Sequence, residues 1–185
     1  LLFFFFSFCL LYKREKRILA AAIACMLVIT CAVGFAAEER EESVTLLDVG
    51  QGQCVILTAK GRTFLIDCGG EYDEDAADIA AETLLSQGIF RLNGVILSHY
   101  DRDHAGGVGY LLQRVPADAI FLPDSPDEDR ILKTILPYTN GCEVYVGQDL
   151  KITWGDCDMT VFAPILSNSD NESGLCVLFR GLKCD

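Results

Sequence analysis

A polar stretch directly after an apolar run is the feature that most constrains this chain. His99, Asp101, Asp103 and His104 place four potential metal ligands within six residues. They follow the apolar run 95–97, which is rich in β-branched residues, and precede a Gly-Gly pair. This order predicts a buried strand that ends in a ligand-bearing loop, with a helix starting just beyond the loop.

The donor types in this stretch indicate a metal site. If the loop stays extended, the alternation of His99, Asp101 and Asp103 brings three side chains to one side, and His104 reaches a second position at the helix start. Imidazole and carboxylate together suit Zn²⁺, Mn²⁺ or iron, whereas Ca²⁺ takes oxygen ligands only. These are the only two histidines in 185 residues, so an ordinary acidic surface loop is the weaker interpretation.

Three motifs, taken in order, resemble those of one family. Residues 99–104 resemble the His-x-His-x-Asp-His motif of the metallo-β-lactamase superfamily. The version with Asp in second place is similar to the C-terminal domain of the DNA-internalisation competence (ComEC) family. Residues 48–52 resemble the Asp-Val-Gly-Gln-Gly turn of that family, and residues 64–70 resemble its strand ending in Asp-x-Gly-Gly.

The resemblance implies an α/β (α+β) fold, a metallo-β-lactamase-like αββα sandwich, with two divalent ions, Mn²⁺ or Zn²⁺. It assigns His99 and Asp101 to one ion and Asp103 and His104 to the other. Asp103, nearest both ions, is the expected catalytic residue that orients the attacking hydroxide. Asp67 is expected to orient a ligand through a hydrogen bond. From the residues alone, a turn-forming role explains Asp67 equally well.

The implied reaction is hydrolysis of phosphodiesters in the DNA strand that is not imported, beside a membrane channel. The residues themselves argue only for metal-assisted hydrolysis. The DNA substrate, the membrane and the other competence-machinery proteins as partners come from the resemblance. Two alternatives stay open. One is a non-enzymatic extracytoplasmic domain that guides DNA, and the other is a secreted metallohydrolase of another substrate class.

The charge of the chain limits how it can bind nucleic acid. Residues 38–185 contain 26 acidic and 11 basic residues, a net charge of −15. Such a domain lacks the broad basic face that attracts phosphates. This charge counts mildly against a stand-alone DNA-binding module, and it also argues against a DNA-guiding surface.

The N-terminal part predicts attachment to a membrane. Residues 1–12 are apolar and predict the end of one transmembrane helix, and the basic residues in 13–17 predict a cytoplasmic loop. The uncharged run 18–37 is long enough to span a hydrocarbon core of ~30 Å. We therefore expect a multi-pass protein of a bacterial plasma membrane, with a tether at 38–43 and an extracytoplasmic domain at 44–185. A cleaved signal peptide is the alternative.

The order of elements in 44–185 predicts sheets packed on each other with helices outside. Strands come first, then strands alternating with helices, then strands again. The predicted helices cover 75–87, 105–114 and 127–136, and the predicted strands cover 44–49, 54–58, 63–66, 94–98, 118–122, 143–146, 151–154, 159–162 and 175–180.

Two later parts of the family pattern do not occur in this sequence. They are the Thr-Gly-Asp strand end and the His-His-Gly-Ser-like stretch that complete the family's metal site. Residues 171–178 resemble the strand start that normally precedes Thr-Gly-Asp. We therefore expect a domain truncated at its C-terminus, whose four ligands bind metal weakly and which is inactive in this form.

Overall fold

The computed structural model describes residues 14–37, 42–125, 130–164 and 174–181. The chain divides between residues 39 and 40 into two units. In the first, helix α1 (Arg14–Ala37) includes the predicted helix 18–37. Within the described residues, no helix is both long enough and apolar enough to cross a membrane, so the predicted transmembrane segment is not confirmed. The segment predicted at 1–12 lies outside the described residues.

The second unit consists of short strands and helices that follow the predicted order. Its helices are α2 (Asp73–Ser86), α3 (Arg102–Ala105), α4 (Val108–Arg114) and α5 (Leu132–Ile135). Its strands are β1 (Ser43–Leu46), β2 (Val55–Ala59), β3 (Arg62–Ile66), β4 (Gly94–Ile96), β5 (Ile120–Pro123), β6 (Glu143–Val146), β7 (Leu150–Trp154), β8 (Cys157–Phe162) and β9 (Cys176–Arg180).

The strands form two sheets. The larger sheet has the order β1-β2-β3-β4-β5-β6, in which β1, β2 and β3 pair antiparallel and β3 to β6 pair parallel. The smaller sheet is the antiparallel set β7-β8-β9. The parallel strands are connected through helices, which is the arrangement expected of an α/β fold.

The larger sheet is buried on both faces, because alternate side chains of its strands enter different cores. Leu65 of β3 packs in one core with Ala80 and Leu84 of α2. Its neighbour Phe64 packs in the other core, where its ring centroid lies 5.1 Å from that of Trp154 on β7. The sequences of the central strands are therefore apolar throughout and do not alternate between apolar and polar residues. Helices cover one face and the smaller sheet covers the other.

The polar stretch differs from the predicted extended loop. Strand β4 ends at Ile96, and Asp101 is the N-cap residue of the helical turn α3. The carbonyl of Asp101 accepts hydrogen bonds from the backbone N–H groups of His104 and Ala105, at 3.0 and 2.9 Å, which closes this turn. Asp103 and His104 therefore lie on a helical turn, and the expected alternation of three side chains along an extended loop is wrong at Asp103.

The structure has a shorter α-helix than predicted in the described part of 127–136. Its residues 127–129 lie outside the described residues. The remainder contains α5 and a 3₁₀ turn (Leu136–Tyr138) with proline near its start. Proline lacks the backbone N–H that an α-helix interior needs, which explains why the tighter turn replaces a longer helix here.

Candidate metal centre

The three sequence motifs meet in one cluster of backbone hydrogen bonds. The N–H of Gln53, after the first turn, donates to the carbonyl of Asp103 at 3.0 Å. The N–H of Cys68 donates to the carbonyl of His104 at 2.7 Å, and the N–H of Gly107 donates to the carbonyl of Cys68 at 2.7 Å. Two turns that are distant in sequence thus fix the backbone of the polar stretch.

Close packing around this cluster explains the glycines of the first two motifs. A Cβ atom on Gly69 would overlap the carbonyl of Asp103 and the nitrogen of His104. A Cβ atom on Gly52 would lie 2.6 Å from the Asp103 carbonyl oxygen. Any larger residue at either position would push the ligand-bearing turn away.

Asp67 follows the end of β3 and is fully buried. Four donors converge on its carboxylate. Oδ1 accepts the backbone N–H of Ser98 at 2.7 Å. Oδ2 accepts the Ser98 hydroxyl at 2.7 Å, His104 Nδ1 at 2.9 Å and Gln53 Nε2 at 3.1 Å. A carboxylate can only accept hydrogen bonds when it is ionised, so this set satisfies it fully. Its position matches the expected orienting role, which stays a prediction.

The same hydrogen bonds select one tautomer for each neutral histidine. Since Asp67 accepts only, Nδ1 of His104 carries the proton. The Ser98 hydroxyl gives its single hydrogen to Asp67 and therefore accepts from Nδ1 of His99, at 2.8 Å. Both rings are left with a lone pair on Nε2, the atom with which each could bind a metal.

Asp67 also affects the protonation of His104. The hydrogen bond from His104 to this carboxylate raises the pKa of the imidazole, and burial opposes that effect. The nearby charges of Asp67, Asp103 and Asp101 raise it further. A second proton would occupy Nε2, so protons compete with a metal ion for this nitrogen.

The four predicted ligands come together as two pairs. Nε2 of His99 lies 3.3 Å from Oδ2 of Asp101, and Nε2 of His104 lies 4.0 Å from Oδ2 of Asp103. The centroids of the two imidazole rings are 4.0 Å apart. In a tetrahedral site with metal–ligand bonds of about 2.0–2.1 Å, two donor atoms are ~3.3 Å apart. The first pair matches that separation and the second is wider.

Larger groups of metal-binding side chains are not found in the described part of the chain. Among the described residues, no three or more His, Cys, Asp or Glu side chains are arranged to hold one metal ion. The donor chemistry and the unprotonated Nε2 atoms therefore fit divalent ions that are each held by one histidine and one aspartate. The ligand roles of His99, Asp101, Asp103 and His104 remain predictions.

Two further side chains belong to the site, and the sequence indicated a role for neither. Ser98 contacts Asp67 and His99, and lies 3.3 Å from Nδ1 of His104 through its hydroxyl. Gln53 reaches Asp67 from the first turn. The only signal for Ser98 is that a hydroxyl precedes the first histidine at a strand end. Nothing in the sequence indicates the contact of Gln53, because it depends on the pairing of β2 with β3.

An open cleft of about 510 Å³ runs past the predicted ligands. Two of the four predicted ligands, Asp101 and Asp103, line it, together with Gln51, Gly70, Glu71 and Arg102. Behind the site, the thiols of Cys54 and Cys68 are buried. The hydrogen bond to Cys54 is the main reason why the pKa of the Cys68 thiol lies well above its usual value, and burial raises it further. This thiol therefore stays protonated.

The sequence of this chain is similar to those of known proteins. Residues 47–121 match the metallo-β-lactamase superfamily. The chain is 33% identical over 138 residues to Recombination protein 2 of Haemophilus influenzae, covering 73% of this chain and 16% of that protein. It is 36% identical over 86 residues to Competence protein ComA of Neisseria gonorrhoeae, covering 46% of this chain and 12% of that protein. The chain thus spans less than a fifth of either relative.

Solved structures show the same fold at low identity. MEM-A1, a subclass B3 metallo-β-lactamase from a soil metagenome, superposes with a TM-score of 0.56 at 18% identity, covering 77% of this chain and 56% of that one. A B3 metallo-β-lactamase with an active-site glutamic acid gives 0.57 at 12% identity, with 79% and 57% covered. These structures support the fold alone, whereas the match over residues 47–121 and the two curated relatives confirm the resemblance predicted from the three motifs, to the metallo-β-lactamase-like domain of the ComEC family.

Proposed function

We propose that, within the full-length protein, this domain hydrolyses phosphodiesters with divalent metal ions and acts on DNA during its uptake. The observation that carries the proposal is a set of hydrogen bonds in which Asp67 contacts Nδ1 of His104 directly and is linked to Nδ1 of His99 through the Ser98 hydroxyl. It leaves one Nε2 lone pair on each ring beside a carboxylate, and the two carboxylates, of Asp101 and Asp103, line an open cleft. The substrate class is supported by the two relatives, whose names refer to competence and recombination.

The proposed division of roles follows the two pairs. His99 and Asp101 would hold one ion, and Asp103 and His104 the other, with Mn²⁺ or Zn²⁺ as the ions. When bound, such ions lower the pKa of water and stabilise the negative charge that develops on phosphorus. Asp103 would also orient the attacking water through its carboxylate. Asp67 and Ser98 would keep both rings in the tautomer that leaves Nε2 unprotonated.

A hydrolysis assay on the full-length protein tests this proposal. We expect release of nucleotides from a labelled DNA strand with Mn²⁺ or Zn²⁺ and none after chelation with EDTA. Asp103→Asn should reduce the rate at least about 100-fold, because the amide keeps the shape but loses the charge that binds metal and orients water. If no metal supports hydrolysis while DNA still binds, the non-enzymatic alternative replaces the proposal.

We also propose that α1 anchors the domain in the membrane, with residues beyond 43 outside the cytoplasm. The uncharged run 18–37 supports this, as do the four basic residues before it and the acidic residues directly after it. The described apolar side chains of Ile18, Met26 and Val28 are exposed. Protease treatment of intact cells, with the outer layers permeabilised, should remove the domain. Protection of residues beyond 43 until the plasma membrane is lysed would place the domain inside.

A further inference from the structure

A second cleft adjoins the one at the predicted metal ligands. It has a volume of about 450 Å³ and shares Glu71 and Arg102 with the first cleft. Its other described walls are the start of α2 and the exposed side of α4, which contribute Tyr72, Asp73 and Tyr110. A polymer that is cut in the first cleft would therefore extend into the second.

Arg102 is held at the junction of the two clefts. Its Nε lies 3.0 Å from Oδ1 and 2.9 Å from Oδ2 of Asp73, and its Nη2 lies 2.8 Å from Oδ2. The side chain is nevertheless 73% exposed. The contacts with Asp73 thus fix the orientation of the planar guanidinium between two predicted ligands in sequence, and Arg102 lines both clefts. Guanidinium groups bind phosphate oxygens well and also stack on bases.

Two tyrosines flank this arginine from different elements. Tyr72, the residue before α2, is 64% exposed, and Tyr110 of α4 is 42% exposed. Exposed aromatic rings in a cleft present flat faces on which bases can stack. Stacking does not depend on sequence, because every base has such a face.

We propose that this second cleft binds single-stranded nucleic acid, with bases stacked on Tyr72 and Tyr110 and a phosphate near Arg102. The inference rests on the proposed hydrolysis of DNA. It specifies that the bound substrate is single-stranded, and it names the residues that select a single strand. The walls also include Glu71, Glu74 and Asp75, whose charges repel phosphates. A duplex presents mainly its phosphates and is rejected, whereas a single strand offers its base faces as well.

Binding assays on the full-length protein test this inference. The probes are a fluorescently labelled single strand of about 12 nucleotides, a strand of the same length with abasic positions, and the matching duplex. Phosphorothioate linkages prevent cleavage during the measurement. We expect the single strand to bind best, and Tyr72→Ala and Tyr110→Ala each to weaken its affinity about tenfold. Affinity should change little with salt, because few phosphate contacts are made.

A matched control and a second substrate separate the outcomes. Tyr145, 52% exposed on β6, lies outside both clefts, and Tyr145→Ala should bind the strand like the wild type. Bis(p-nitrophenyl) phosphate is a short phosphodiester without a polynucleotide strand, and the wild type and Tyr145→Ala should hydrolyse it at the same rate. Equal binding of the intact and abasic strands, or of the wild type and Tyr72→Ala, overturns the inference. A wild-type protein that binds the strand but hydrolyses neither substrate overturns the proposed hydrolase instead.

Discussion

Replacing Asp67 by asparagine is expected to lower the free energy of unfolding by about 3 kcal/mol and metal affinity by about 10–100-fold. The carboxylate is fully buried and accepts four hydrogen bonds, three of them on Oδ2. An amide nitrogen in place of Oδ2 would face those three donors. The conflict between donors is relieved if Nδ1 of His104 accepts a hydrogen bond from the amide. The ring proton then moves to Nε2 and blocks the nitrogen that would bind a metal.

Chemical denaturation of the metal-free protein measures the first effect, and competition against a chelator measures the second. Asp118→Asn is the control, because Asp118 forms an ion pair with Arg91 at 3.0 Å while its side chain stays half exposed. That variant should change stability by no more than about 0.5 kcal/mol and leave metal affinity unaltered. Wild-type metal affinity in Asp67→Asn would mean that Asp67 does not orient His104.

Local patterns in the sequence were enough to predict most strands and the order of the layers. The central strands are buried on both faces, so runs such as 95–97 are apolar throughout and mark strands clearly. Strand ends were less well predicted. The predicted strand 44–49 ends at Leu46 in the structure. Its pairing with β2 continues only to the hydrogen bond from the N–H of Leu47 to the carbonyl of Cys54, at 3.0 Å, and the chain then turns at Gly50, where φ is +74°.

The centre of the site was harder to predict, because its contacts join residues far apart in sequence. Asp67 and Ser98 are 31 residues apart, and the parallel pairing of β3 with β4 brings their positions side by side. The orienting role of Asp67 came from family resemblance, since an aspartate before two glycines equally suggests a turn. Nothing in the local sequence predicts that the Ser98 hydroxyl links Asp67 to His99. The helical turn α3 was missed because Asp-Arg-Asp-His has no apolar periodicity.

Replacing Asp101 is expected to have the largest effect on activity. Asp101→Ala should abolish metal-dependent hydrolysis in the full-length protein, a loss of about 1,000-fold or more, because one proposed ion would keep a single ligand from this stretch. Asp101→His should instead retain activity and shift its preference from Mn²⁺ towards Zn²⁺. The reason is that a carboxylate is a hard donor that suits Mn²⁺, whereas imidazole favours Zn²⁺. Oδ2 of Asp101 lies 3.3 Å from Nε2 of His99, a separation at which both atoms could bind the same ion.

Rates measured with each metal across a range of pH, for the wild type and both variants, decide the role of Asp101. Asp118→His is the matched control, because it makes the same substitution at a half-exposed aspartate. Asp118 does not line the cleft at the predicted metal ligands. The control variant should leave both rate and metal preference unchanged. If Asp101→Ala and Asp101→His both behave like this control, Asp101 is no ligand. In that case its carboxylate serves only to pair with His99, and the site depends on His99, Asp103 and His104.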